Sequence, residues 1–228
     1  MVMGTSYNPR IVTDGLVLCF DAANARSYPG TGTTWTDLKG GNNATLVNGP
    51  TFDSNNNGYI VFDGSNDYIN FHAPNLNSTA TVELFTILPS TYSNKMIFGW
   101  SRYDVWCRNG GMGYNTANSD LYGISNSSVS NLGLVDNWKH YVFEMRSDVS
   151  YTNNKIYIET ELQSLSQESA SEYSSYRNFN NGDGRISSWR YNASYVMALK
   201  LSYFRVYNRA LTADEIRQNY LAAKERYA

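Results

Sequence analysis

The chain has 228 residues, 18 Lys+Arg against 20 Asp+Glu, and a formal net charge of -2. Only 17% of its residues are charged, below the usual quarter, whereas it carries 19 tyrosines and 17 glycines. This balance lacks the basic footprint of a nucleic-acid binder and the polybasic run of an anionic-membrane binder, and no apolar run reaches the length of a membrane span.

Residues 1–13 read as an N-terminal arm and residues 14–228 as one β domain. "MVMGTSYNPR" lacks the basic start and apolar stretch of a secretory signal, so the product is expected to stay in the cytoplasm where it is made, or to leave by another route. Strand-like runs then follow in order: "GLVLCFDA", "NATLVN", "YIVFDG", "DYINFHA", "ATVELFTILP", "KMIFGWS", "DVWCRN", "GMGYNT", "LYGISN", "NWKHYVFEMRS", "NKIYIET" and "VMALKLSYFRVYN". Turn dipeptides such as Asp14-Gly15, Asn57-Gly58, Asp63-Gly64 and Asn109-Gly110 punctuate them. The stretch "ELQSLSQESASEYSSYRNFNNGDG" is the least regular and reads as a long loop or a weak edge strand. Many short strands without alternating helices predict an antiparallel sandwich.

The end of the chain changes period. From Leu201 to Tyr207 alternation puts Leu201, Tyr203, Arg205 and Tyr207 on one face and Phe204 and Val206 on the other, both apolar enough to be buried. Thr212 and Glu215 then form a capping box, Leu211 and Ile216 a hydrophobic staple, and Ile216, Tyr220, Ala223 and Tyr227 one helical face. Cys19 and Cys107 are too few for a disulfide framework and read as buried thiols. His72 and His140 have no zinc-like spacing to either cysteine, and His140 reads as a strand residue.

The ordered set "DGLVLCFDAANARSYPGTGTTWTDLKGGNNATLVNGPTF", "YIVFDGSNDYINF", "NWKHYVFEM", "KIYIETELQ" and "YFRVYNRALTADEI" resembles the laminin-G-like jelly-roll domains of the concanavalin A-like lectin/glucanase superfamily. The resemblance spans roughly Asp14 to Tyr220, and "SYPGTGTTWTDL" with the ending "QNY" is similar to versions in tailed-bacteriophage virion structural proteins. It implies an all-β jelly-roll β-sandwich, adjacent first and last strands, and a short C-terminal α-helix packed on the sandwich.

Three kinds of site follow. Glucanases of this superfamily carry carboxylates at alternate positions of a cleft strand, which Glu159 and Glu161 imitate. In the resemblance, however, "KIYIETELQ" occupies a hairpin, so Glu159 is expected beside a turn; Glu168 and Glu172 read as a solvated face, and no catalysis is expected. Calcium is the second possibility. Asp63, Asn66 and Asp67 surround a glycine turn, but Ser202 and Tyr203 stand where relatives carry acids in the last strand. The turn is expected to cap itself, with no metal or other cofactor.

Sugar binding is the third. Trp106 and Arg108 are two apart in "DVWCRN" and share a face, opposite the small apolar Cys107. If Cys107 faces inward, Trp106 and Arg108 face outward, and the Asn109-Gly110-Gly111 turn returns Tyr114 beside them. Trp189, with Arg190 and Tyr191, belongs to a segment that the resemblance brings to the same surface. Trp106, Arg108, Tyr114 and Trp189 are therefore the expected ligand-binding patch. The expected function is a non-catalytic virion surface or structural protein that adheres to glycans or a host-surface receptor. Its other expected partners are virion proteins and copies of itself, with a trimer the first expectation, and with no nucleic acid and no membrane insertion. The alternatives are a purely structural capsid-decoration or fibre subunit and, third, a carbohydrate-active enzyme.

Overall fold

A computed structural model describes residues 10–73, 76–100, 103–115, 119–169 and 182–225; for Ala73 and Trp100 it describes the backbone alone. Its strands, in chain order, begin with β1 (Leu16–Asp21), β2 (Thr34–Trp35), β3 (Ala44–Val47), β4 (Thr51–Asp53), β5 (Tyr59–Val61) and β6 (Tyr68–Ala73). The middle of the chain forms β7 (Thr79–Ile87), β8 (Lys95–Trp100), β9 (Tyr103–Arg108), β10 (Gly111–Asn115) and β11 (Leu121–Ile124). After a short helix α1 (Asn126–Asn131) come β12 (Trp138–Arg146), β13 (Lys155–Ile158), β14 (Glu161–Leu162) and β15 (Ser166–Ser169). The last elements are β16 (Gly182–Ile186), β17 (Lys200–Tyr207) and helix α2 (Ala213–Lys224).

Among the described residues the strands form two antiparallel sheets. The eight-stranded sheet runs β14-β13-β12-β7-β17-β5-β4, with β1 also on β17, and the nine-stranded sheet runs β15-β11-β10-β9-β8-β16-β6-β3-β2. Their facing sides enclose one large core that includes Phe20, Trp35, Phe62, Phe98, Phe143 and Phe204, all at most 2% exposed. Aromatic pairs such as Phe98–Phe204 and Phe71–Phe204, at 5.6 and 5.2 Å between centroids, bridge the two sheets. The sandwich and the adjacency of first and last strands agree with the expectation; β1 pairs β17 from Leu16↔Tyr207 to Asp21↔Tyr203.

Two details depart from the alternation read in the sequence. A β-bulge between Leu201 and Tyr203 shifts the register against Thr86 and Phe85. The extra residue turns Leu201 into the core beside Phe204 and Val206, rather than outward with Tyr203 and Arg205. The irregular stretch, expected as a long loop or a weak edge strand, supplies the edge strand β15, and its end opens the unexpected β16, which lies centrally between β8 and β6. Glycine-rich "GDGRI" carries little strand propensity. Gly184 is needed because a Cβ there would meet the Phe71 ring at 2.3 Å.

Helix α2 lies on the outer side of the eight-stranded sheet. Its capping box is present, with Glu215 N donating to Thr212 Oγ1 (3.2 Å) and Thr212 N to Glu215 Oε2 (2.8 Å). Leu211 and Ile216 join Val12, Leu16, Cys19 and Tyr207 in a second apolar cluster, and Ala223 packs with Phe85 and Tyr203 in a third. Tyr227 lies outside the described residues. The end of the expected arm is tied to the same helix: Val12 N donates to Asn219 Oδ1 at 2.7 Å and Gln218 to the Arg10 carbonyl at 2.6 Å. Helix α1 was not expected; Ser125 caps it through its hydroxyl, which accepts from Ser128 N at 3.2 Å.

Candidate functional site

The outer side of the nine-stranded sheet carries the surface chemistry. Because Ile69, Phe71 and Ile186 face the core, alternation turns Asn70 and His72 of β6 and Asp183 and Arg185 of β16 outward. Register aligns them in rows across three strands: Thr45 opposite Asn70, Asn70 opposite Arg185, and His72 opposite Asp183. Together with Asn43 and Arg190 these side chains line an open cleft of about 330 Å³.

The cleft is held in shape by its own contacts. His72 Nδ1 lies 3.0 Å from Asp183 Oδ1. Arg185 donates through Nε to Asn70 Oδ1 (3.2 Å) and through Nη1 to the Trp189 carbonyl (3.3 Å), and its guanidinium lies over Tyr68, 4.2 Å from the ring centroid. Arg190 lies 4.1 Å over Tyr191 and donates to the Asp183 carbonyl at 3.5 Å. The sequence marks Arg190 and Tyr191 as neighbours of the expected patch but does not single out Thr45, Asn70, His72, Asp183 and Arg185 as a site. Their signal was the polar set alternating with apolar residues in "DYINFHA" and "GDGRI". Their convergence depends on β16 inserting between β6 and β8, which no local pattern announces.

Beside the cleft stands an aromatic loop between β16 and β17. Met197 N donates to the Ser187 carbonyl at 3.0 Å and Trp189 N to the Ser194 carbonyl at 2.9 Å, closing the loop; Met96 N donates to the Tyr195 carbonyl at 2.7 Å and docks it on β8. Its tip exposes Tyr191 (61%) and Tyr195 (42%).

The expected patch is only partly assembled here. Cys107 faces the core, so Trp106 does project from the opposite side, with the Arg108 guanidinium 5.2 Å from its ring centroid. Half-buried Trp189 packs on the same cluster with Met96 and Leu121, and Tyr195 meets Trp106 edge-on at 6.0 Å. Trp106 is therefore covered, 2% exposed, with its Nε1 donating to the Asp120 carbonyl at 3.0 Å. It is the floor beneath the aromatic loop and not a contact surface. Tyr114 corrects the expectation more sharply. It pairs with Val105, faces the core and is fully buried, and its hydroxyl donates to the Glu144 and Lys155 carbonyls at 3.0 and 2.7 Å across the sandwich. The hairpin returned it to the Val105 row, one residue out of step with Trp106, and a one-residue step reverses the face.

The other candidates lie elsewhere. Glu159 occupies the β13–β14 turn with φ +59°, 3.9 Å from Lys139 Nζ, and Glu161 is exposed on edge strand β14, both on the sheet that does not carry the cleft. Glu168 is on β15 with the Ser166 hydroxyl on its carboxylate, and Glu172 lies outside the described residues. The Asp63 turn caps itself as expected: its Oδ1 accepts from Ser65 N (2.8 Å) and Asn66 N (3.2 Å), and the first of these bonds holds its carboxyl below the usual value. Among the described residues no group of three or more His, Cys, Asp or Glu is placed to hold a metal ion.

No protein-family model matches the sequence, and no curated protein matches it. Likeness is found at the level of structure. The receptor-binding domain of botulinum neurotoxin C/D mosaic serotype superposes with a TM-score of 0.65 at 14% identity, over 92% of this chain and 51% of that chain. The botulinum neurotoxin serotype D ligand-binding domain in complex with N-acetylneuraminic acid gives 0.63 at 14%, over 91% and 50%. Trypanosoma rangeli sialidase in complex with sialic acid gives 0.63 at 14%, over 97% and 36%. The chain thus spans about half the length of the toxin domains and about a third of the sialidase. At this identity the likeness is one of fold, and it agrees with the topology above: an antiparallel jelly-roll β-sandwich closed by a short C-terminal helix.

Proposed function

We propose that this domain is a non-catalytic glycan-recognition module that seats a saccharide in the cleft of the nine-stranded sheet. The observation that carries the reading is the row Thr45–Asn70–Arg185 along the cleft, with Arg190 of the same cleft stacked on the exposed ring of Tyr191. A sugar has a polar edge and an apolar face, and a floor of planar polar side chains next to an aromatic wall complements both. Two structural neighbours were solved with N-acetylneuraminic acid or sialic acid bound, which supports the reading by analogy of fold alone. The setting follows the sequence resemblance: the module belongs on a virion surface, as a homo-oligomer attached to other virion proteins, and meets host-surface glycans.

A glycan array probed with the purified chain tests the reading, followed by calorimetry on the Tyr191→Ala variant. Binding that falls about tenfold in the variant, equivalent to some 1.4 kcal/mol, is expected. No binding to any glycan, or binding untouched by the substitution, overturns it. Sedimentation and fractionation of purified particles test the setting; a strict monomer absent from particles rules it out.

A further inference from the structure

We propose that the cleft selects an acidic saccharide, whose carboxylate or sulfate lies between Arg185 and Arg190; this rests on the glycan reading of the same cleft.

The two arginines differ from those that the fold neutralises. Arg146, Arg205 and Arg209 each meet a carboxylate, at 3.2, 3.2 and 2.7 Å. Arg185 and Arg190 meet none within ion-pair distance among the described residues, although both are half-buried in one cleft. Arg185 is positioned by an amide oxygen, a backbone carbonyl and an aromatic face, groups that orient a guanidinium without neutralising it. Arg190 is positioned in the same way by a carbonyl, the Tyr191 hydroxyl and the Tyr191 ring, and its buried Nε has no hydrogen-bond partner.

The cleft does hold one acid, Asp183. Its carboxylate is engaged by His72 at 3.0 Å, and it is the Asp183 carbonyl that receives Arg190. Two guanidiniums therefore share one concavity with a single carboxylate, 88% exposed, that lies within ion-pair distance of neither. A neutral sugar would use their N–H groups but leave both charges without a partner. A carboxylate or sulfate accepts paired N–H bonds from a planar fork, and bonds of that kind are roughly twice as strong as neutral ones. Because both forks are already held in place, little ordering entropy opposes the contact. Asn43, Thr45 and Asn70 remain along the same floor for the hydroxyls of the sugar.

Calorimetry on the whole chain with ligand pairs that differ only in the charge tests this: sialyllactose against its carboxyl methyl ester, and 6-sulfo-N-acetylglucosamine against N-acetylglucosamine. The acidic member is expected to bind at least about tenfold tighter, as one charge-assisted bond allows, and the gap is expected to narrow as salt is raised. Preference for the carboxylate pair or the sulfate pair identifies the group. Arg190→Gln, in the loop, is expected to bring acidic ligands down to the affinity of neutral ones without lowering the melting temperature; Arg185→Gln is the second variant. Equal binding of acidic and neutral members overturns this inference and leaves the glycan reading standing. An acidic preference that survives both substitutions also overturns it. Binding of no member of either pair, together with a blank array, removes both.

Discussion

Glu83 and Arg205 face each other across β7 and β17, with Arg205 Nη1 3.2 Å from Glu83 Oε1 and neither side chain more than 1% exposed. Around this ion pair Tyr203, Tyr207 and Asn219 donate to the same carboxylate at 3.3, 3.3 and 2.8 Å, and His140 Nε2 lies 2.9 Å from it. Asn219 belongs to α2, and its Oδ1 accepts from Val12 N, so one buried carboxylate joins the helix, the N-terminal segment and three strands. Burial alone would push the Glu83 carboxyl up; the charge of Arg205, followed by the hydrogen bond from His140, outweighs it and holds the group below its ordinary value.

Removing that carboxylate leaves Arg205 buried without its partner. Glu83→Ala is expected to destabilise the fold by about 3–5 kcal/mol, read by urea unfolding. A loss below about 1 kcal/mol, the range of exposed pairs, would show that solvent reaches the network.

Trp106 was expected on a binding surface and is instead the floor beneath Trp189 and Tyr195. Trp106→Ala is therefore expected to lower stability by about 3–5 kcal/mol. Tyr191→Ala, at an exposed loop tip, should stay within about 0.5 kcal/mol of wild type. Thermal unfolding of the two variants side by side checks the assignment, and near-equal midpoints would contradict it.

The Arg209–Glu215 pair gives the C-terminal helix an acid dependence. The Arg209 hydrogen bonds, at 2.7 and 2.8 Å, hold the Glu215 carboxyl at about 2, against 4.5 for the free side chain. The folded value is depressed, so the stabilisation is fully present above about pH 4.5 and is lost as pH falls toward about 2. Unfolding measured across that window should lose part of its pH slope in Glu215→Gln. At neutral pH, Thr212→Ala should lower stability by about 1 kcal/mol through loss of the cap.

The Asp63 turn satisfies its carboxylate with backbone N–H groups, and Ser202 donates to the Gly58 carbonyl at 3.2 Å instead of presenting an acid. Melting temperature is accordingly expected to be the same with calcium or with a chelator. A metal at a hundred times its dissociation constant would add about 2.7 kcal/mol, so a drop of several degrees on chelation, reproduced by Asp63→Ala, would overturn the expectation.

Glu159 and Glu161 sit at a turn and an edge of the sheet remote from the cleft. No release of reducing sugar from β-glucans is expected. Hydrolysis abolished by Glu159→Gln or Glu161→Gln would reverse the non-catalytic reading.

Local chemistry was enough to specify much of this molecule. Alternation marked the long strands, Asn109-Gly110 marked a hairpin whose residues do take positive φ, and Thr212 with Glu215 marked the start of the last helix. Each of these depends on neighbours a few residues apart, so the chain itself contains the information. The buried network was partly visible: Glu83 interrupts the apolar "TVELF", and Asn219 sits three residues after Ile216 on the packed face, but nothing local links residues 136 positions apart. Tertiary structure alone decided which faces were covered. The bulge at Leu201 reversed one residue, the Tyr195 loop turned an outward tryptophan into a buried one, and the hairpin register sent Tyr114 into the core. The cleft is the strongest case. Thr45, Asn70 and Arg185 lie far apart in the chain and meet because β16, poor in strand propensity, is captured between β6 and β8 by hydrogen bonds on both edges. Pairing of this kind is settled by the whole sheet at once, which is why the residues of the site could be read one by one but not as a site.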